Sequence, residues 1–336
     1  MDKLKFHYPE LFSGDTPLVS DGDLANIIES HQRLLPNLEQ ETKDHTIVQK
    51  FGSGAIRSML WQPENTTDTI IIPRYFGGGI GEDATWLAET INATTKPNTS
   101  ILIVPNSKQG QNNLNLDSHD HELLSSGDAT PYTERIEAIL EAHELADTKL
   151  HFIGASQGSI VSLAVAEKFG ERVNSLTLLD VPELAGHSSA RNALRLMKSM
   201  KNYEDNQIIG SSDGFAPHDE GLKQGRNKGA GASTVENKDL MAMNAFMNVH
   251  DNTLAINSIA RHNNVPITIV RGANSQLSSD EGMNELIGLA GPSATGIRFS
   301  GDYADHSIAM MPIPIAALSR YSMNMRDLIG RDSLVA

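Results

Sequence analysis

The sequence contains no cysteine. That excludes disulfides, thiolate zinc sites, iron–sulfur clusters and a cysteine nucleophile. Basic residues are scarce: 27 Lys and Arg stand against 42 Asp and Glu, a net charge of -15. A field of that sign repels nucleic acid and anionic lipid, so neither is expected as a main partner. Long apolar runs are missing too. No stretch approaches the ~18 residues of a membrane helix, and the N-terminus (Met1-Asp2-Lys3-Leu4-Lys5-Phe6) lacks the apolar core of a signal peptide. The chain as given reads as cytoplasmic, with no membrane span. Secretion behind a removed signal peptide is the other compatible history.

What is present is enough for a substantial core. The 336 residues are 39% hydrophobic, with 27 glycines besides, which is the ordinary globular proportion. The length allows two or three domains, or one large α/β domain with an insertion. Residues 1–44 are polar and carry Pro9, Pro17 and Pro36, and read as a leader packed on a core. Residues 46–51 and 55–61 are β-rich and separated by Gly52-Ser53-Gly54, the spacing of a hairpin. Short continuous apolar runs follow at 69–73, 100–105, 148–153, 174–179 and 265–270, as expected for strands covered on both faces. Helical periodicity at 85–91, 132–145 and 157–169 lies between several of them. Strands alternating with helices predict a mostly parallel sheet. Residues 185–262 break the alternation: 191–200 and 238–249 look helical, and 210–233 reads as loop. This stretch is expected to be a cap or lid, inserted between core segments 1–184 and 263–336.

The sharpest local pattern is Gly154-Ala155-Ser156-Gln157-Gly158. It follows one predicted strand and opens a predicted helix. A turn that tight strains the serine backbone and admits only small neighbours, hence the two glycines. It also aims helix N–H groups at whatever the hydroxyl attacks. A nucleophilic serine needs a base. His306 stands far downstream, after the short β-like run 297–299 and before a helical stretch.

In these features the chain resembles the α/β-hydrolase superfamily, over roughly residues 46–184 and 263–320. The resemblance implies Ser156 as nucleophile and His306 as base, in the order the fold uses. Pro73-Arg74-Tyr75-Phe76-Gly77-Gly78-Gly79, with Trp86 downstream, is similar to the family's oxyanion loop. Arg74 and Tyr75 replace the usual His-Gly pair. The resemblance then implies oxyanion donors at the N–H groups of Gln157 and Phe76. The family's acid most often follows the strand that is 265–270 here, yet Ser275 and Gln276 occupy those positions. Two acids remain open. Asp180 ends the preceding strand, where some members carry the acid. Asp280 comes later, in what reads as the first turn of a helix with Ser278 and Glu281 as its capping box. A dyad helped by Gln276, or by nothing, is the third arrangement.

The expected function is hydrolysis of a small-molecule carboxylic ester or thioester through an acyl-enzyme on Ser156, with no metal and no organic cofactor. The same serine could serve an acyltransferase, and the fold could serve a non-catalytic binding protein. Three further segments carry weaker signals. Asp117-Ser118-His119-Asp120-His121-Glu122 has chelating residue types, but reads as part of a solvated loop spanning 106–130. Met241, Met243, Phe246, Met247 and Val249 form either an adaptable apolar face or an ordinary lid core. Lys223-Gln224-Gly225-Arg226-Asn227-Lys228 is a basic loop that could meet an anionic group. The sequence carries no signal for oligomeric state.

Overall fold

The computed structural model describes residues 5–7, 45–51, 54–74, 82–92, 95–105, 116–183, 195, 237–263, 265–300, 315 and 318. Nine strands among them form one sheet. In chain order they are β1 (Lys5–His7), β2 (Thr46–Phe51), β3 (Gly54–Trp61), β4 (Asp68–Pro73), β5 (Thr99–Val104), β6 (Lys149–Ala155), β7 (Val173–Leu179), β8 (Ile267–Gly272) and β9 (Ala294–Ser300). Their spatial order is β1-β9-β8-β7-β6-β4-β5-β3-β2. The pairs from β5 through β4, β6, β7 and β8 to β9 are all parallel. The β2–β3 hairpin is antiparallel, as is β3 against β5. At the opposite edge β1 pairs antiparallel with β9, so part of the N-terminal leader completes the sheet.

Helices cover both faces, which is why the central strands read as unbroken apolar runs. They are α1 (Glu82–Asn92), α2 (Ser118–Ser125), α3 (Thr130–Ala142), α4 (Gln157–Phe169), α5 (Asn237–Val249), α6 (Asn252–Asn263) and α7 (Asp280–Ala290). α4 is buried on every side from Gln157 to Ala166, and mostly apolar there. Such a helix belongs at the centre. It packs against β4, β6 and β7, with α3 and α6 beside it. Ile160, Leu163, Phe152, Leu176, Ile256 and Ile259 share its core. On the other face Ile70, Ile72, Ile153 and Leu179 pack with Leu87 and Ile91 of α1, and with Ile315 and Leu318.

Most of the expected insertion, and the basic loop at 223–228, lie outside the described residues. Its C-terminal part consists of α5, which packs on α2, and α6, which packs on α4 and α7. The methionine-rich run divides: Met243 and Met247 are buried, whereas Met241 is exposed. The segment expected as a polar loop contains a helix. α2 opens with a capping box in which Asp117 accepts from the Asp120 amide and Asp120 accepts from the Asp117 amide. Its register comes from Asp120, which turns inward to Arg135 of α3 at 2.5 Å.

Candidate active site

The β6–α4 junction is built around close backbone approach. Ser156 has φ 54° and ψ -125°, in a region that side-chain-bearing residues rarely occupy and that costs on the order of 1–3 kcal/mol. A Cβ on Gly154 would lie 2.2 Å from the Gly158 carbonyl oxygen, and one on Gly158 would lie 2.2 Å from the Pro73 carbonyl oxygen. Both positions therefore exclude every other residue. Gly158 presses the first turn of α4 onto the end of β4, where the glycine-rich 73–79 segment begins. Ser156 is the N-cap of α4, yet its hydroxyl does not cap the helix. Ser159 turns back instead, its amide donating to the Ser156 carbonyl at 2.9 Å and its hydroxyl at 2.5 Å. Gln157, whose amide is the expected oxyanion donor, occupies the first helical position with its side chain buried. Phe76 and His306 lie outside the described residues.

The two candidate acids have opposite surroundings. Asp180 is 1% exposed and follows β7 directly, with φ 50°. Its Oδ2 accepts from the Ser275 hydroxyl at 2.6 Å, and its Oδ1 from the Ser278 hydroxyl at 2.5 Å. Asp280 is half-exposed on the first turn of α7 and ion-paired, at 2.7 Å to Arg271 and 3.4 Å to Arg298. The capping box expected from Ser278 and Glu281 does not form. The N-cap is Ser279, which accepts from the Gly282 amide, because Ser278 gives its hydroxyl to Asp180. Sequence reasoning noticed Ser275 only as a residue standing where an acid was expected. Its contact with Asp180 spans 95 residues and leaves no local pattern.

A Ser–His–Asp chain lies toward the opposite ends of the strands from Ser156. His151 of β6 joins Ser175 of β7 through Nδ1 at 2.8 Å and Asp68 of β4 through Nε2 at 3.0 Å. That bond and the Thr67 hydroxyl hold the Asp68 carboxyl down at about 2, against the penalty of burial. Ser175 is 1% exposed and sits in β7 just past a shift in its register with β6, between the Leu150–Val173 and His151–Ser175 pairs. The three side chains tie β4, β6 and β7 together.

Three of the chelating side chains at 117–122 have other partners, Asp117 as the cap of α2. Asp120 holds Arg135, and His121 Nε2 meets Asp239 Oδ1 of α5 at 2.6 Å. Among the described residues no three His, Asp or Glu side chains converge as a metal site. Among them, too, no helix is long and apolar enough to cross a membrane.

The sheet order, with the elbow after its central strand β6 and helices on both faces, defines the α/β-hydrolase fold. Solved structures bear this out. The chain is similar to an α/β hydrolase fold protein from Chitinophaga pinensis, with TM-score 0.59 and 13% identity over 82% of this chain and 96% of that one. It is similar to E-2-(acetamidomethylene)succinate hydrolase, with TM-score 0.57 and 15% identity over 83% of this chain and 100% of the other. A thioesterase domain from the curacin biosynthetic pathway aligns with TM-score 0.52 and 16% identity, over 83% of this chain and 98% of that domain. At such identities the fold is what is shared. No protein-family model matches the chain, and no curated protein matches it significantly.

Proposed function

We propose that this protein is a serine hydrolase of small-molecule carboxylic esters or thioesters, with Ser156 as nucleophile, His306 as general base and Asp180 as the acid. The observation that carries the proposal is the backbone of Ser156. A non-glycine residue at φ 54°, wedged between two glycines that touch neighbouring backbone, holds strain that packing alone does not require. Such strain lifts a hydroxyl to the rim of the sheet and leaves it beside the amides of a helix N-terminus.

In the proposed cycle the Ser156 oxygen attacks the substrate carbonyl while His306 takes its proton. The Gln157 and Phe76 amides hold the resulting oxyanion, each worth about 3 kcal/mol of barrier. Collapse breaks the bond to the alcohol or thiol, which leaves with the proton from His306. Water, deprotonated by His306, then releases the acid from Ser156. Asp180 keeps the imidazole oriented and stabilises its cation. The segment 185–262 is proposed to shape the acyl pocket as a cap.

Hydrolysis of a p-nitrophenyl ester series from acetyl to decanoyl, by wild type and Ser156→Ala, tests the proposal. Turnover is expected to vanish in the variant with its circular dichroism unchanged, and a fluorophosphonate is expected to label Ser156 in the wild type alone. Retained turnover in Ser156→Ala would refute the nucleophile. Since His306 must be neutral to act, the rate should fall below about pH 6–7.

A further inference from the structure

We infer that Ser275 and Ser278 are positioning residues, whose hydroxyls set the orientation of Asp180 and so act on the reaction proposed above. The inference rests on the reading of Asp180 as the acid. Each carboxylate oxygen receives one hydroxyl, Oδ2 from Ser275 and Oδ1 from Ser278. The direction is fixed at Ser275, because its oxygen already accepts the Leu277 amide at 3.2 Å and the Ser278 amide at 3.4 Å. Its proton is therefore the one given to Asp180. Two donors on two oxygens fix the plane of the carboxyl group. Each oxygen keeps a further lone pair for another donor.

The donors are themselves held. The Glu183 amide donates to the Leu277 carbonyl at 2.8 Å, and the Ser279 hydroxyl donates to Glu183 Oε1 at 2.9 Å. Arg195 bridges the same two loops, donating to the Glu183 carbonyl at 2.8 Å and the Gln276 carbonyl at 2.9 Å. The loop after β7 and the loop after β8 thus form one clasp around Asp180, whose strained φ needs such fixing.

The test is a double-mutant cycle, read as kcat on p-nitrophenyl butyrate and, in parallel, as the rate of fluorophosphonate labelling of Ser156. In the wild-type background Ser275→Ala and Ser278→Ala should each lower both rates about 10-fold, with KM changed less than about 2-fold, and Thr at either position should recover most of the loss. In the Asp180→Asn background the alanine substitutions should cost less than about 2-fold, because the group they serve is gone. Equal losses in both backgrounds, or none in the wild type, overturn the inference while leaving the acid in place. Wild-type rates in Asp180→Asn overturn the assignment of the acid instead, and the inference with it. Absence of both turnover and labelling in the wild type overturns the serine-hydrolase reading itself. An alanine variant that does not fold is replaced in the cycle by cysteine, which keeps the size and loses most of the donor strength.

Discussion

The backbone amide of Ser156 is hydrogen-bonded to the carbonyl of Leu179 at 2.9 Å. The next residue, Asp180, donates its own amide to the Val270 carbonyl at 2.7 Å. The ladders joining β6, β7 and β8 thus continue one step beyond the strands, just where two non-glycine residues turn to φ 54° and φ 50°. The proposed nucleophile and the proposed acid are the first residues past adjacent strand tips. Their separation is set by the sheet and by no loop.

That placement ranks the two carboxylates. Asp180→Asn should lower kcat by about 10³- to 10⁴-fold, since the amide cannot support the imidazolium or its tautomer. Asp280→Asn should change kcat less than about 3-fold and lower stability by about 1–2 kcal/mol, because Asp280 is half-exposed but its partner Arg271 is buried. Steady-state kinetics of the two variants decide it. The reverse ranking would move the acid to Asp280.

Gly158→Ala should cost about 1–3 kcal/mol in urea unfolding and remove turnover, because the new methyl meets the Pro73 carbonyl, a backbone atom that cannot step aside. Gly170 supplies the control. Its φ and ψ of 58° and -124° match those of Ser156, but nothing lies within 4 Å of where a Cβ would stand, so Gly170→Ala should cost about 1–3 kcal/mol of backbone strain and leave turnover intact.

The buried pair Asp120–Arg135 gives a non-additive prediction. Arg135→Met alone should destabilise by about 3–5 kcal/mol, since it strands a buried carboxylate. Adding Asp120→Leu should restore most of that loss, short of about 1 kcal/mol for the capping box. Thermal melts of the singles and the double are the measurement, and equal destabilisation in the double would show that the pair itself stabilises α2.

Asp68 predicts an acid limb. Its folded-state value of about 2 lies below the ordinary 3.8, so its contribution is fully present above about pH 4 and disappears as pH falls toward 2. With allowance for its partial exposure, the size is about 1–2 kcal/mol. The stability difference between wild type and Asp68→Asn should narrow over that window. A difference constant from pH 5 to pH 2 would sink the idea.

The elbow was legible because the strand–turn–helix geometry brings Gly154 against Gly158 locally, although Gly158 must also clear Pro73 of β4, which leaves no local pattern. The hairpin and the parallel strands were legible from period and length. α2 was not, because six of its eight residues are polar and its inward register depends on Arg135 from another helix. β1 was not, because three residues have no period, and their pairing with β9 spans most of the chain. Ser278 was misread as a helix cap for a related reason. A serine before Glu281 fits a cap locally, but Asp180 competes for the same hydroxyl across 98 residues.

The contact between Gly158 and Pro73 also has a kinetic side. Ser156 can reach its strained backbone only after β6 has found β4, a partner supplied by a segment some eighty residues earlier, and after α4 has settled on both. Pairings of that range close late. On dilution from denaturant, helical ellipticity should therefore return ahead of the fluorophosphonate-reactive serine. If Ser156 is the nucleophile proposed above, its hydroxyl is expected to gain reactivity only in the fully folded chain.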